Sequence, residues 1–348
     1  MSRVWQLAAR PTGFPTPEDF RLVTEELPAP GPGQILVRNE VMSVDPAMRG
    51  RMNDVPSYVA PFKLDEALDG GAVGTVIATG GPAGDSGRDS GRDSGRDSAS
   101  PAVGDSVLHG LGWREYALLD ARHSRVVDTT IAPASAYLGV LGMPGLTAYA
   151  GLLDVAKMRP DETVFISGAA GAVGTLAGQI ARLRGARLVI GSAGSAEKVR
   201  YLVEDLGFDA AFNYKDGSIR TQLKQLTPDG IDVFFDNVGG EQLEAALFRM
   251  NLHGRVAVCG AISQYNNPDP TGIRNLTLLI SKRITLQGFL VLDHWGRRQE
   301  FVEEMAGWLR EGRVQVAETF VDGIDHAVDG FLGMLRGENL GKMIVRLS

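Results

Sequence analysis

One cysteine stands in 348 residues. Cys259 therefore has no intramolecular disulfide partner and cannot belong to a multi-cysteine zinc site. Its setting, Val256-Ala-Val-Cys259-Gly260, reads as a small core residue on a buried strand rather than a nucleophile. Histidine is scarce as well. His109, His123, His253, His294 and His326 show no metal-ligand spacing, so no metal site is expected. Basic runs interleaved with aromatics are missing and the formal net charge is −7, which argues against nucleic acid as the main partner. No stretch approaches the roughly 18 apolar residues of a membrane-spanning helix. The opening Met1-Ser-Arg-Val-Trp-Gln lacks a signal-peptide pattern, so a cytoplasmic protein without membrane contact is expected.

Glycine, by contrast, is abundant, with 44 residues. The informative ones are Gly168, Gly171 and Gly174, which follow the apolar run Val164-Phe-Ile-Ser167 and precede a helical pattern. Val173, Leu176, Ala177, Ile180 and Ala181 recur on one helical face. Strand, tight glycine turn and helix, in that order, make a dinucleotide-binding turn, with free N–H groups and the positive dipole end facing a pyrophosphate. The spacing is G-x-x-G-x-x-G rather than G-x-G-x-x-G, so the flanking context carries the reading. The second strand, Arg187-Leu-Val-Ile190, runs into Gly191-Ser192-Ala193-Gly194-Ser195, where an NAD site would place Asp or Glu on the ribose 2′-hydroxyl. The first carboxylate is Glu197, followed by Lys198. Small hydroxyl residues such as Ser192, with a lysine, suit a 2′-phosphate through charge-assisted hydrogen bonds, so NADPH is expected over NADH. Lys198 alone would read equally as a solvated helix lysine.

Along the chain, residues 1–129 carry β signals: 34–41 after the Pro30-Gly-Pro-Gly33 turn, 74–78, and 105–109. They predict a small, mostly antiparallel, barrel-like domain. From 130 to 312 strands and helices alternate, with strands near 163–167, 187–190, 210–213, 233–236, 256–260 and 285–289, which predicts a doubly wound parallel α/β sheet. A helix over 298–311 follows. Residues 313–348 end in Lys342-Met-Ile-Val-Arg-Leu347, a strand returning to the first domain. Gly87-Arg-Asp-Ser90 recurs twice more, to Ser98, and 80–101 reads as a disordered hairpin insert with nothing apolar to bury.

Six motifs converge in order: Val44-Asp-Pro-Ala-Met-Arg-Gly-Arg51, Gly142-Met-Pro-Gly-Leu-Thr-Ala-Tyr149, the glycine turn, Asp236-Asn-Val-Gly-Gly-Glu241, Cys259-Gly-Ala-Ile-Ser-Gln-Tyr-Asn266 and Asn339-Leu-Gly-Lys342. With them the chain resembles the zinc-independent medium-chain dehydrogenase/reductases. The prostaglandin reductase (leukotriene hydroxydehydrogenase) branch, with plant alkenal double-bond reductases and bacterial NADPH-dependent curcumin reductases, is most similar. The resemblance implies a GroES-like catalytic domain, a Rossmann domain, a cleft between them, a homodimer, and NADPH-dependent reduction of the C=C bond of α,β-unsaturated ketones or aldehydes. The zinc branch has a cysteine ligand near Asp45 and a four-cysteine loop, and this chain has neither.

Such chemistry delivers a hydride to the β-carbon while negative charge grows on the carbonyl oxygen, so the site needs a donor to that oxygen. Tyr265 is the candidate donor. It follows the strand ending at Gly260, on the edge where ligands bind in such sheets, and the resemblance places its hydroxyl near the nicotinamide ribose and the substrate carbonyl. The plainer alternative is a loop tyrosine that only positions cofactor. Asn237 is expected to approach the cofactor, or else to make an Asx-type turn. The resemblance implies further cofactor contacts from Ala170, Gly171, Ala172 and Val173, from Tyr214 near the 2′-phosphate, and from Cys259, Gly260, Ala261, Ile262 and Ser263. It adds the backbone of Phe289, Leu290 and Val291, and Asn339 across the cleft. Asp45, Ala47, Met48 and Arg49 shape the substrate pocket, with Met143 and Thr147 at its mouth. Many relatives carry Tyr at the position of Ala47, so a wider pocket without that hydroxyl is expected here. Arg49 and Arg51 read as structural, or else as contacts for an acidic substrate tail. Two competing functions remain: a quinone oxidoreductase, and a nicotinamide-binding sensor or structural protein.

Overall fold

Two sheets organise the chain. The computed structural model describes residues 1–81, 100–267 and 272–347. The Gly-Arg-Asp-Ser repeats, and with them residues 82–99 of the expected disordered insert, lie outside the described residues.

The parallel sheet has six strands. In chain order they are Thr163–Ile166, Leu188–Ala193, Ala210–Asn213, Ile231–Asp236, Met250–Val258 and Thr285–Gly288. Across the sheet the order is third, second, first, fourth, fifth, sixth, so the strand order reverses beside the first strand, where such folds open a ligand crevice. Central strands buried on both faces read as continuous apolar runs, and Val164, Phe165, Ile166, Val233, Phe234 and Phe235 are all 0% exposed. The helix Ala172–Leu183 lays Leu176, Ala177, Ile180 and Ala181 onto this core, the face expected from their spacing.

The second sheet is mostly antiparallel and has seven strands. Its spine, Gln34–Ser43, pairs with Ala72–Thr79 on one side and with the C-terminal Lys342–Arg346 on the other. The expected C-terminal return is thus realised, with Ile344 opposite Ser43 and Arg346 opposite Val41. No strand was foreseen at Ser2–Leu7, Phe20–Glu25, Tyr116–Asp120, Ser124–Val126 or Glu318–Asp322. Glu318–Asp322 pairs parallel with Lys342–Arg346 and gives the sheet a parallel edge. The return is also a matter of packing. Phe331, from the helix Ala327–Arg336, sits edge-on to Phe20 and Trp113 with centroids 6.1 and 5.9 Å apart. The hairpin of Ser2–Leu7 and Phe20–Glu25 packs alongside as a separate two-stranded sheet.

Candidate functional site

The glycine turn lies at the crevice. Gly168 has φ +57°, a conformation that glycine adopts without a Cβ penalty. A Cβ on Gly174 would stand 2.4 Å from the Gly168 carbonyl oxygen and 2.6 Å from Ala169 Cα, so only glycine lets the helix approach the strand this closely. Gly171 caps the helix with extended backbone and no side-chain partner. First-turn N–H groups of a helix have no intrahelical acceptor, and here they belong to partly exposed Ala172 and Val173 and to buried Gly174. From the other sheet, the Gly341 N–H donates to the Ala170 carbonyl at 2.8 Å, and buried Asn339 holds that loop by donating from Nδ2 to the Gly341 carbonyl. The cradle fits a pyrophosphate: backbone donors, no side chain in the way, and a loop of the second sheet at its rim.

At the end of the second strand no carboxylate stands between Ala193 and Ser195. Ser195 caps the helix Ala196–Glu204 by accepting from the Lys198 N–H. Lys198 Nζ donates to the Gly337 carbonyl at 2.6 Å, and its pKa is lowered first by burial and then by the charge of Lys215. Lys215 Nζ lies 5.7 Å from the Tyr214 ring centroid, and the Tyr214 hydroxyl lies beside Gly194. Lys198, Lys215 and Tyr214 therefore form one electropositive corner. Lys215 was missed in the sequence, although it adjoins Tyr214. Ser192 is not part of this corner: it is 0% exposed and its hydroxyl bonds Gln242 Oε1, so its side chain is not free for a phosphate.

On the far side, two loops are laced together. The Cys259 and Gly260 N–H groups donate to the Asp236 carbonyl, that of Ile262 to Asn237, and that of Ser263 to Val238. Beneath them Asp236 is fully buried. Its Oδ1 accepts from Ser167 Oγ, the Val238 N–H and the Gly239 N–H, and Oδ2 has no partner among the described residues. Burial raises its pKa against those hydrogen bonds. Burial first, and then the Asp236 charge, push the Cys259 thiol up to about 12, in keeping with an inert thiol. Asn237 makes no Asx turn. Its Nδ2 donates to the Ser167 carbonyl at 2.8 Å and pins two strand ends together next to Gly168.

Tyr265 sits on this platform. Its oxygen accepts from the Ala261 N–H at 3.2 Å, which leaves the phenolic proton to donate elsewhere. Burial is the main cause that raises its pKa, so it is protonated at neutral pH. Charge effects reach it from Cys259, Asp236 and Tyr58. Tyr58, 60% exposed on the loop after the helix Ala47–Arg51, went unnoticed in the sequence because that loop carries no pattern.

The pocket residues divide. Asp45 is held by Lys342 Nζ at 3.1 Å and by Ser43 Oγ, Ala47 is exposed and Met48 is buried. Arg49 is 3% exposed and donates to three neutral oxygens, while Arg51 forms a bidentate pair with Asp69 and lies over Phe62. Both arginines are engaged internally, which leaves neither for an acidic tail. Phe289 packs edge-on against Phe235 and His294, so its side chain belongs to the core, with Leu290 and Val291 partly exposed beyond it. Met143 is 53% exposed at a helix start, where its carbonyl accepts from Thr147 Oγ1. Among the described residues no group of three or more His, Cys, Asp or Glu could hold a metal ion, and no helix is long and apolar enough to cross a membrane.

Residues 3–88 match the family described as N-terminal domain of oxidoreductase, and residues 172–310 match zinc-binding dehydrogenase. A putative NADP-dependent oxidoreductase of Bacillus subtilis is 45% identical, covering 99% of this chain and 97% of its own. The NADPH-dependent curcumin reductase of Escherichia coli is 39% identical over 100% and 97%. The crystal structure of CurA from Vibrio vulnificus in complex with NADPH superposes with a TM-score of 0.89 at 38% identity, covering 99% of each chain. The chain belongs to the zinc-independent medium-chain dehydrogenase/reductases, in the branch of the curcumin, 2-alkenal and prostaglandin reductases.

Proposed function

We propose that the protein reduces the C=C bond of α,β-unsaturated ketones and aldehydes with NADPH, without zinc. The observation that carries this reading is the Tyr265 phenol. It is protonated, its lone pair is taken by the Ala261 N–H, and its proton has no acceptor within the described residues. NADPH, when bound, supplies the hydride. Its pyrophosphate would rest on Gly171, Ala172, Val173 and Gly174, with Gly168 and Ala170 shaping the turn. Its 2′-phosphate would meet Lys198, Lys215 and Tyr214, and its nicotinamide half would meet Asn237, the loop from Cys259 to Ser263, and the backbone of Phe289, Leu290 and Val291. Asn339 would close the rim. Tyr265 donates to the substrate carbonyl oxygen as negative charge grows there, and Tyr58, Asp45, Ala47 and Met48 wall the substrate, with Met143 at the mouth.

In this reading residues 1–129 and 313–348 form the catalytic unit and 130–312 the cofactor unit. We also place the enzyme in the cytoplasm, where a lone thiol stays reduced, as a homodimer. The edge strand Thr285–Gly288 supports the dimer: it is exposed along its length, Leu286 included, and exposed Leu276 and Ile280 (80% exposed) stand on the helix that precedes it.

Steady-state oxidation of NADPH and of NADH against enones, enals and quinones, with product analysis, tests the reading. Saturated carbonyl products and a strong NADPH preference are expected. Turnover of quinones alone would make the protein a quinone oxidoreductase, and tight NADPH binding without turnover would make it a sensor.

A further inference from the structure

Arg49 is a buried cation that no carboxylate touches among the described residues; Asp19 acts on it through charge alone. It is 3% exposed, and burial lowers its pKa. All three of its described hydrogen bonds end on neutral oxygens: Gly13 carbonyl at 2.7 Å, Asn53 Oδ1 at 2.8 Å and Asn266 Oδ1 at 2.9 Å. Removing a guanidinium from water without a carboxylate is a poor way to gain stability. A planar fork with five donors is a good way to fix several segments in one geometry. The three segments differ in origin. Gly13 belongs to the stretch between the two strands of the N-terminal hairpin, Asn53 follows the helix that carries Arg49, and Asn266 lies across the cleft, directly after Tyr265. The Gly13 segment also approaches the Asn266 backbone, since a Cβ built on Gly13 would lie 3.9 Å from the Asn266 carbonyl oxygen.

We propose that Arg49 is a positioning residue for Tyr265: by holding Asn266 from the opposite wall of the cleft, it sets where the phenol stands relative to the substrate loop. The proposal rests on the donor role given to Tyr265. The other described hydrogen bonds that tie the 261–266 loop to another segment run to 236–238, on the same wall as the loop itself. Arg49 is the described side chain that joins this loop to the other wall, so it governs the distance between Tyr265 and a substrate lodged against Asp45, Ala47 and Met48.

A double-mutant cycle tests this on the full-length protein. Arg49→Lys keeps the charge and loses the fork. Asn266→Ala removes only the acceptor and leaves the other two bonds, which keeps the test open if the buried substitution does not fold. Either variant is expected to lower kcat for an enone about ten-fold, the scale of a misplaced catalytic group, with NADPH Kd, read by fluorescence, within about two-fold of wild type. In the Tyr265→Phe background the same change should cost less than about two-fold more, because the group it positions is gone. A full ten-fold loss repeated in that background, or a loss confined to NADPH affinity or thermal stability, would overturn the proposal and leave Tyr265 as donor. Wild-type turnover of Tyr265→Phe itself would overturn both.

Discussion

The two halves of the crevice are built in different ways. On the pyrophosphate side backbone does the work: Gly168 turns, Gly174 lets the helix in, and the partly exposed first turn of that helix offers N–H groups. On the reacting side the two walls are joined by side chains of distant segments: Arg49 to Asn266 and Lys342 to Asp45. A backbone-built site tolerates almost any side chain that points away but no added Cβ at its contact points. A side-chain-built site should behave the other way, tolerating small backbone adjustments and failing when one donor is removed.

The sharpest test of this contrast is Gly174→Ala. With a Cβ 2.4 Å from a backbone oxygen, something must shift, and overpacking of that kind costs up to about 3 kcal/mol, which would raise the NADPH Kd roughly a hundred-fold if borne by the site. Titration by fluorescence checks it, and an unchanged Kd would break the backbone half of the comparison. Next in size, Tyr265→Phe should lower kcat roughly ten-fold or more while NADPH affinity stays near wild type. Equal losses in both would make Tyr265 a cofactor contact. Replacing Lys198 or Lys215 with alanine should then reduce the NADPH-over-NADH preference about ten-fold each, the scale of one hydrogen bond to a charged group. A preference that survives both would return the discrimination to backbone.

The smallest effect concerns stability. His109 is buried in the antiparallel sheet. Its Nδ1 accepts from the Leu111 N–H and its Nε2 bonds Asn39 Oδ1, while burial, then Arg114, push its pKa down to about 4. Unfolded, it would titrate near 6.5. Between those values the unfolded chain binds more protons, so this group's contribution to stability is present above about pH 6.5 and is lost as pH falls towards 4. From pH 6.5 to 5.5 the loss is about 1 kcal/mol. Urea unfolding of wild type and His109→Gln at several pH values should show a steeper acid loss in wild type. Parallel profiles would refute the assignment.

The same contrast explains what could be read from the sequence. The six parallel strands, the helix face of Leu176, Ala177, Ile180 and Ala181, and the glycine turn were legible, because local periodicity and conformation fix them. So was the C-terminal strand. Glu318–Asp322 escaped because it is a partly exposed edge strand, and a short run without alternation gives no signal. Ser192 was read as a phosphate contact on its position, but strand pleat turns its hydroxyl inward to Gln242. Lys215, Tyr58 and the Arg49–Asn266 bond were invisible for a different reason: each gains meaning only from a partner far away in the chain or on another element.

The central claim is hydride delivery to carbon, and isotope transfer tests it most directly. Turnover of a simple enone with NADPH deuterated at the transferring carbon, followed by mass spectrometry and NMR of the product, should give a saturated ketone with one deuterium on the β-carbon. An allylic alcohol carrying the label on the former carbonyl carbon, or no label in any product while only quinones are consumed, would contradict the account.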